Sequence, residues 1–301
     1  MDRGYLPMRR FFLQFWLWCG RLTVGIFAMA PFAVAPGVAL GEQMAGVTVT
    51  DPWRTSAVVA SLAALPRKAT ARIVFDEFVA ASEYGDIPAR IHAVANTMGE
   101  ILDSAYVAQY SVAEYKARTQ EYIDRFGKDV DIWEIGNEVN GEWLGDQSAV
   151  VQKITGAYDL VKRAGGRTAL TLYYNKTCYD RAGNEMFAWT SRNIPAAIKN
   201  GVDYVLVSYY EDDCPGPLPN WQSVFAQLGE MFPNAKLGIG ECGTTRKKYK
   251  ADYIRRYYLM AIDHPRYVGG HFWWYFNEDM VPRGTTLWNL LAQVLQAQAV
   301  K

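Results

Sequence analysis

The sequence is poor in histidine and cysteine and has no charge of one sign in excess. Its three histidines, His92, His264 and His271, stand far apart, and its four cysteines include no Cys-x-x-Cys pair. With no His-x-x-x-His spacing either, the sequence argues against a zinc or iron centre, while carboxylate-bound calcium stays compatible with it. No metal and no cofactor are expected. Lys plus Arg number 31, as do Asp plus Glu, so there is neither a basic surplus for nucleic acid nor an acidic tail. A phosphate-binding loop is lacking too: Gly166-Arg167-Thr168 has neither its lysine nor its spacing.

Aromatic residues are abundant at 14%, with ten tryptophans. Flat rings stack on the C–H faces of sugars, so a tryptophan-rich cleft suits carbohydrate. Most of these rings are nevertheless expected to fill the core.

Residues 1–41 read as a signal peptide. Arg3, Arg9 and Arg10 precede the apolar run "FFLQFWLWCGRLTVGIFAMAPFAVAPGVALG", and Ala39 and Gly41 supply the small residues before a cut at Glu42. Arg9-Arg10-Phe-Phe-Leu also fits a twin-arginine export signal. A permanent inner-membrane anchor is the alternative, although Arg21, Pro31 and Pro36 interrupt the run. Either way the expected location is exported: periplasmic, secreted or membrane-anchored. Bulky Trp18 before Cys19 argues against a lipoprotein cleavage site.

The remaining segment, 42–301, suits one domain. Short apolar strands recur at 46–50, 71–75, 99–103, 130–136, 168–174, 203–209, 236–240 and 269–275, with amphipathic helical patterns between them. Strand–helix alternation repeated this often predicts an α/β fold, a (β/α)8 TIM barrel. An open doubly wound sheet is the competitor, and it would usually carry a Gly-rich first turn that this chain lacks.

A barrel of this kind builds its site at the C-terminal ends of the strands. The residues there are Asp51 and Trp53, Asp76 and Glu77, Asp103 and Tyr106, Asn137 and Glu138, Tyr174 and Asn175, Tyr209 and Tyr210, Glu241, and Trp273 with Trp274. Acids, amides and aromatics on one rim fit sugar chemistry. Glu138 and Glu241 end the fourth and seventh strands, across the barrel mouth from each other. Two facing carboxylates are what glycoside hydrolysis requires. Gly136 is expected to admit close backbone approach, with no room for a side chain beside the pocket. Trp273 and Trp274 alternate faces, so one of them reaches the pocket, with Trp274 preferred. Asn140 and Trp143 open the loop after the fourth strand, and Trp143 is expected to line a subsite. Glu134, a layer deeper than Glu138, reads as a buried ion-pair partner.

The motifs "WEIGNE" and "GIGECG", with a tryptophan at the eighth strand, resemble clan A of the glycoside hydrolases, the retaining (β/α)8 enzymes, and most of all the family 39 and family 5 type. The resemblance implies that Glu138 is the general acid/base and Glu241 the nucleophile. It implies that Asn137 hydrogen-bonds a sugar 2-hydroxyl and that Tyr210 orients Glu241. Ser208 stands where the family often has histidine, so the supporting network differs. Arg72 aligns with an arginine that keeps the nucleophile ionised, yet it is equally placed to pair with Glu134.

The implied function is a retaining β-glycoside hydrolase, endo-acting on a polysaccharide or oligosaccharide and monomeric. The alternatives are a non-catalytic glycan-binding barrel associated with polysaccharide export, and a structural barrel of the export apparatus. The presence of both glutamates argues against the first. In an oxidising compartment Cys178 and Cys214, in adjacent loops, are expected to form a disulfide that leaves Cys242 a thiol; a reduced protein would keep all three as thiols.

Overall fold

The computed structural model describes residues 43–214 and 216–298. The signal-peptide, twin-arginine and anchor readings of 1–41 lie outside the described residues. Among the described residues no helix is long and apolar enough to cross a membrane.

Eight parallel strands close into a barrel in sequence order: β1 (Met44–Val49), β2 (Thr70–Val74), β3 (Asn96–Glu100), β4 (Ile132–Gly136), β5 (Arg167–Tyr173), β6 (Tyr204–Ser208), β7 (Lys236–Glu241) and β8 (Tyr267–Trp273). Around them lie α1 (Thr55–Ala63), α2 (Ile87–His92), α3 (Val112–Phe126), α4 (Gln147–Arg163), α5 (Met186–Asn193), α6 (Ala196–Gly201), α7 (Trp221–Met231), α8 (Lys250–Tyr258), α9 (Phe276–Met280) and α10 (Thr286–Gln298). The fold is a (β/α)8 TIM barrel.

The strands are buried on both faces, which is why they read as near-continuous apolar runs rather than alternating ones. Their outward side chains, such as Val47, Ile73, Ile135 and Val205, pack under the helices. Inside, Met98, Ile132, Ala169, Tyr204, Leu206 and Phe272 form a separate apolar cluster. Above this plug the interior turns charged, with Arg72, Glu100 and Glu134 fully enclosed.

Helix α3 shows how the local sequence supports the site. Ser111 and Glu114 form a reciprocal capping box at its start, worth about 1 kcal/mol. Tyr115, Tyr122, Ile123 and Phe126 recur at helical spacing and are buried against the barrel. Tyr115 then donates its hydroxyl to the Ile135 carbonyl (3.0 Å), tying the helix to the strand that ends at Asn137 and Glu138.

Strand ends shift from the sequence reading by one to three residues, and two of these shifts bear on the site. The third strand ends at Glu100, not Asp103, because Val74, Glu100 and Glu134 align across β2, β3 and β4. Ile101 and Leu102 are buried beyond the strand end, and Asp103 caps the following turn. The eighth strand starts earlier and carries three consecutive left-handed residues, Gly269, Gly270 and His271 (φ 81°, 89° and 58°). A Cβ on Gly270 would meet the Ile239 carbonyl oxygen, so the backbone crowding there requires glycine.

Candidate active site

At the C-terminal mouth of the barrel lies a pocket of about 250 Å³, lined by Asn137, Glu138, Tyr210, Glu241 and Trp274 together with Asp103, Ser104, Asp212, Asp213, Thr244, Thr245 and Tyr275. Among the described residues no lysine, arginine or histidine lines it. Strict strand alternation would point Asn137 and Glu138 to opposite faces. Both reach the pocket because the β4–β5 register shifts near Gly136 and Glu138 takes a left-handed backbone, φ 48°. Such a conformation costs a non-glycine residue about 1–3 kcal/mol and is typical of functional positions.

The two glutamates sit in unequal surroundings. Glu241 Oε2 accepts from Arg72 Nη1 (2.9 Å) and from Asn137 Nδ2 (3.3 Å), and its Oε1 accepts from Tyr210 Oη (2.6 Å). Burial raises its pKa, while the Arg72 charge and then the Tyr210 hydroxyl pull the other way. Among the described residues no cation touches Glu138. Its Oε1 accepts from Ser208 Oγ (2.6 Å) and its Oε2 from Ser104 Oγ (2.8 Å). Burial, reinforced by the Glu241 charge, pushes it up to about 8, with the two serine hydroxyls acting against the rise. One carboxyl is thus set to carry a proton at neutral pH, while the other faces a guanidinium.

Beneath them Arg72 serves both partners that the sequence left open. Its Nε lies 2.7 Å from Glu134 Oε2 while Nη1 reaches Glu241. Glu134 also accepts from the Thr171 hydroxyl. Glu100 adds a third carboxylate, with Oε2 3.1 Å from Arg72 Nη2. That approach is close enough for charge attraction but is not aligned as a hydrogen bond, and neither Glu100 oxygen has a donor. Burial drives Glu100 well above the usual carboxylate range despite Arg72.

Removing the one cation from this group would leave buried carboxylates unpaired, a change that costs about 3–5 kcal/mol. Arg72→Leu is therefore expected to lower Tm by roughly 6–20 °C in a calorimetric or circular-dichroism melt. A variant melting with the wild type would show that Arg72 does not hold these carboxylates.

Several sequence-derived candidates lie elsewhere. Trp273 is fully buried and donates its indole N–H to Asp279 Oδ2 (2.9 Å), facing the helix layer. The left-handed residues in β8 set this choice, so Trp274 takes the pocket. Asn175 closes the loop after β5, accepting from Met186 N (3.0 Å) and donating to the Asn184 carbonyl (2.9 Å). Asp76 accepts from Trp53 Nε1 (2.8 Å) and does not line the pocket. A Cβ on Gly136 would strike Val139 and Ile154, so its smallness serves packing against α4 and not the pocket. Trp143 does not line the pocket either; its Nε1 donates to Ser104 Oγ (3.1 Å).

Sequence reasoning missed Ser104, Glu100, Asp212, Asp213, Thr244, Thr245 and Tyr275. Thr244 and Thr245 were within reach of it, since they directly follow Glu241-Cys242-Gly243 on a rim loop. Nothing local marks Ser104, which meets Glu138 only through the fold. Cys178 and Cys214 stand as a disulfide between the loops after β5 and β6, with Cα atoms 5.0 Å apart. Cys242 is a buried thiol directed at the Phe272 carbonyl, away from the pocket.

No family model matches the chain, and no curated protein does either. Solved structures are similar in fold. A family 1 β-glucosidase from Exiguobacterium antarcticum B7 is 11% identical, with TM-score 0.55, over 83% of this chain and 87% of that one. Saccharomyces cerevisiae Gas2, solved with laminaritetraose and laminaripentaose, is 12% identical with TM-score 0.54, over 85% of this chain and 63% of its own. An FMN-binding β-glucuronidase from Facaelibacterium prausnitzii L2-6 is 14% identical with TM-score 0.52, over 77% of this chain; this chain spans only 37% of that one. At these identities the likeness is one of fold.

Proposed function

We propose that this chain is a retaining β-glycoside hydrolase of the clan A type, working by double displacement, with Glu138 as acid/base and Glu241 as nucleophile. The observation that carries the reading is the pair of buried carboxyls in one pocket, one against Arg72 and Tyr210, the other against hydroxyls alone. Fold neighbours that are glycosidases by name support it.

In the first step Glu138 gives its proton to the glycosidic oxygen while Glu241 attacks the anomeric carbon, forming a glycosyl ester and releasing the leaving group as an alcohol. Esterification removes the Glu241 charge, one of the causes holding Glu138 high, so Glu138 becomes a better base. It then takes a proton from water, whose oxygen attacks the anomeric carbon and frees Glu241. Trp274 offers a ring face to the sugar. Asn137 already donates to Glu241 and lies at the pocket wall, where a 2-hydroxyl contact could form.

The proposed substrate is a polysaccharide or oligosaccharide attacked internally. The exposed rings of Trp53, Phe78 and Trp143 in loops that follow the strands support endo action. Action outside the cytoplasm and any membrane association are proposed from residues 1–41 alone.

Two measurements test the reading. Proton NMR of the first-formed product should show the β-anomer, that is, net retention; an inverted product would mean that water, not Glu241, attacks first. The pH profile of kcat/KM should fall as pH rises through about 8, because Glu138 must be protonated to act as the acid. A profile flat across that region would remove Glu138 from the acid role.

A further inference from the structure

Carboxyl groups of Asp103, Glu138, Asp212, Asp213 and Glu241 line the pocket, and among the described residues no cation lines it. Three of these acids are accounted for. The Glu241 charge is matched by Arg72 Nη1 at 2.9 Å. Glu138, pushed up to about 8 by burial and then by the Glu241 charge, carries its proton at neutral pH. Asp212 accepts from the Thr244 hydroxyl and lies 3.5 Å from Arg246 Nε.

Asp103 and Asp213 are left. Asp103 Oδ1 caps the turn after β3 by accepting from Ala105 N (2.8 Å), and among the described residues its Oδ2 has no donor. Asp213 is exposed on the loop after β6, and its carboxylate accepts from no described residue. Its backbone is nevertheless anchored. Asp213 N donates to the Tyr210 carbonyl (3.2 Å), and the adjacent Cys214 is bonded to Cys178. Burial and then the Asp212 charge hold Asp213 above the usual carboxylate range, with no cation to offset them. Burial raises Asp103 too, against the Ala105 amide and then the Arg72 charge.

Such a lining selects by charge. A uronate or sulfate on a sugar would enter among carboxylates with no cation to receive it, and like charges brought together out of water repel. An ammonium on a sugar would meet two carboxylates that lack an ion pair, and would form charge-assisted hydrogen bonds with them. We infer that the pocket takes a glycan whose sugar units carry free amines, that Asp103 and Asp213 receive the ammonium, and that uronates are rejected. The inference rests on the reading of this pocket as the place of glycoside cleavage, and names the substrate class within it. The amine is bound and takes no part in the bond changes. The same carboxylates can also stabilise positive charge that develops on the sugar ring in the transition state, but that would serve every sugar alike.

The test is isothermal titration calorimetry with the full chain carrying Glu138→Gln, where a neutral amide replaces a neutral carboxyl and turnover is removed. The probes are β-linked oligosaccharides in the gluco and galacto configurations. Each is used in hydroxyl, N-acetyl, free-amine (at carbon 2 or carbon 6) and uronate forms, at a pH that keeps the amine protonated. In at least one configuration the free-amine form should bind roughly tenfold tighter than the hydroxyl and N-acetyl forms, and the uronate more weakly than either. Added salt should narrow that gap. Asp213→Asn and Asp103→Asn, each made on the same background, should lower the ratio of amine to hydroxyl affinity several-fold. Asp213 is exposed, and asparagine at 103 still caps the turn, so both variants should fold.

Equal affinity for amine and hydroxyl forms, tighter binding of a uronate, no binding of any amine form, or an unchanged ratio in both aspartate variants overturns the inference. Hydrolysis of the same probes by wild type separates it from the functional reading. Amine-selective binding by a protein that hydrolyses no glycoside sinks the functional reading and leaves the charge selection standing. Hydrolysis of glycosides with no preference for the amine does the reverse.

Discussion

Glu241→Ala is expected to lower kcat/KM on every glycoside substrate by on the order of 10⁴ or more, the scale seen when a covalent catalyst loses its nucleophile. The expectation follows from how the carboxylate is held. Arg72, Asn137 and Tyr210 fix both its oxygens by three hydrogen bonds, and its backbone pairs with Ser208 across β6 and β7. Alanine leaves a small space where those oxygens were, so azide should restore turnover of an activated substrate and give a glycosyl azide of inverted configuration. Glutamine fills that space, and azide should then do nothing. Mass spectrometry of wild type treated with a fluoro-sugar inactivator should find the label on Glu241. A Glu241→Ala variant that keeps near wild-type rate without azide would end the assignment.

Glu138→Ala should separate substrates by leaving group. General acid catalysis contributes about 10²–10⁴-fold, and only where the departing oxygen needs a proton. Glycosides with poor leaving groups should lose that factor in the first step, while activated aryl glycosides should lose far less there and accumulate the glycosyl-enzyme, since the base for the second step is gone as well. Comparing kcat/KM between the two classes isolates the first step. An equal loss in both would show that Glu138 does not protonate the leaving group. Asn137→Ala supplies the contrast. It removes a donor to Glu241 and a wall of the pocket, neither of which depends on the leaving group, so both classes should slow together.

Much of this site was readable along the chain. Strand and helix periods are local, so eight alternations predicted the barrel, and the barrel told which strand ends to inspect. Glu138 and Glu241 followed because each sits directly at the end of an apolar strand. The resemblance to clan A also pointed to Tyr210 beside Glu241, and it left Arg72 between two partners that the structure shows it serving together.

What the chain alone did not decide depends on pairing between strands distant in sequence. Glu100 fell inside the predicted third strand without being singled out, and alignment with Val74 and Glu134 places it at the end of β3, beside Arg72. The left-handed residues at Glu138 and at Gly269–His271 break the period of two, which is why alternation could not say how Asn137 and Glu138 share one pocket. Ser104 and Trp143 lie 39 residues apart, and Ser104 and Glu138 34 apart, so their hydrogen bonds exist only once β3 and β4 stand side by side. The sequence determined which residues the barrel mouth presents; tertiary packing determined their protonation, because charge and burial in a closed barrel depend on every strand at once.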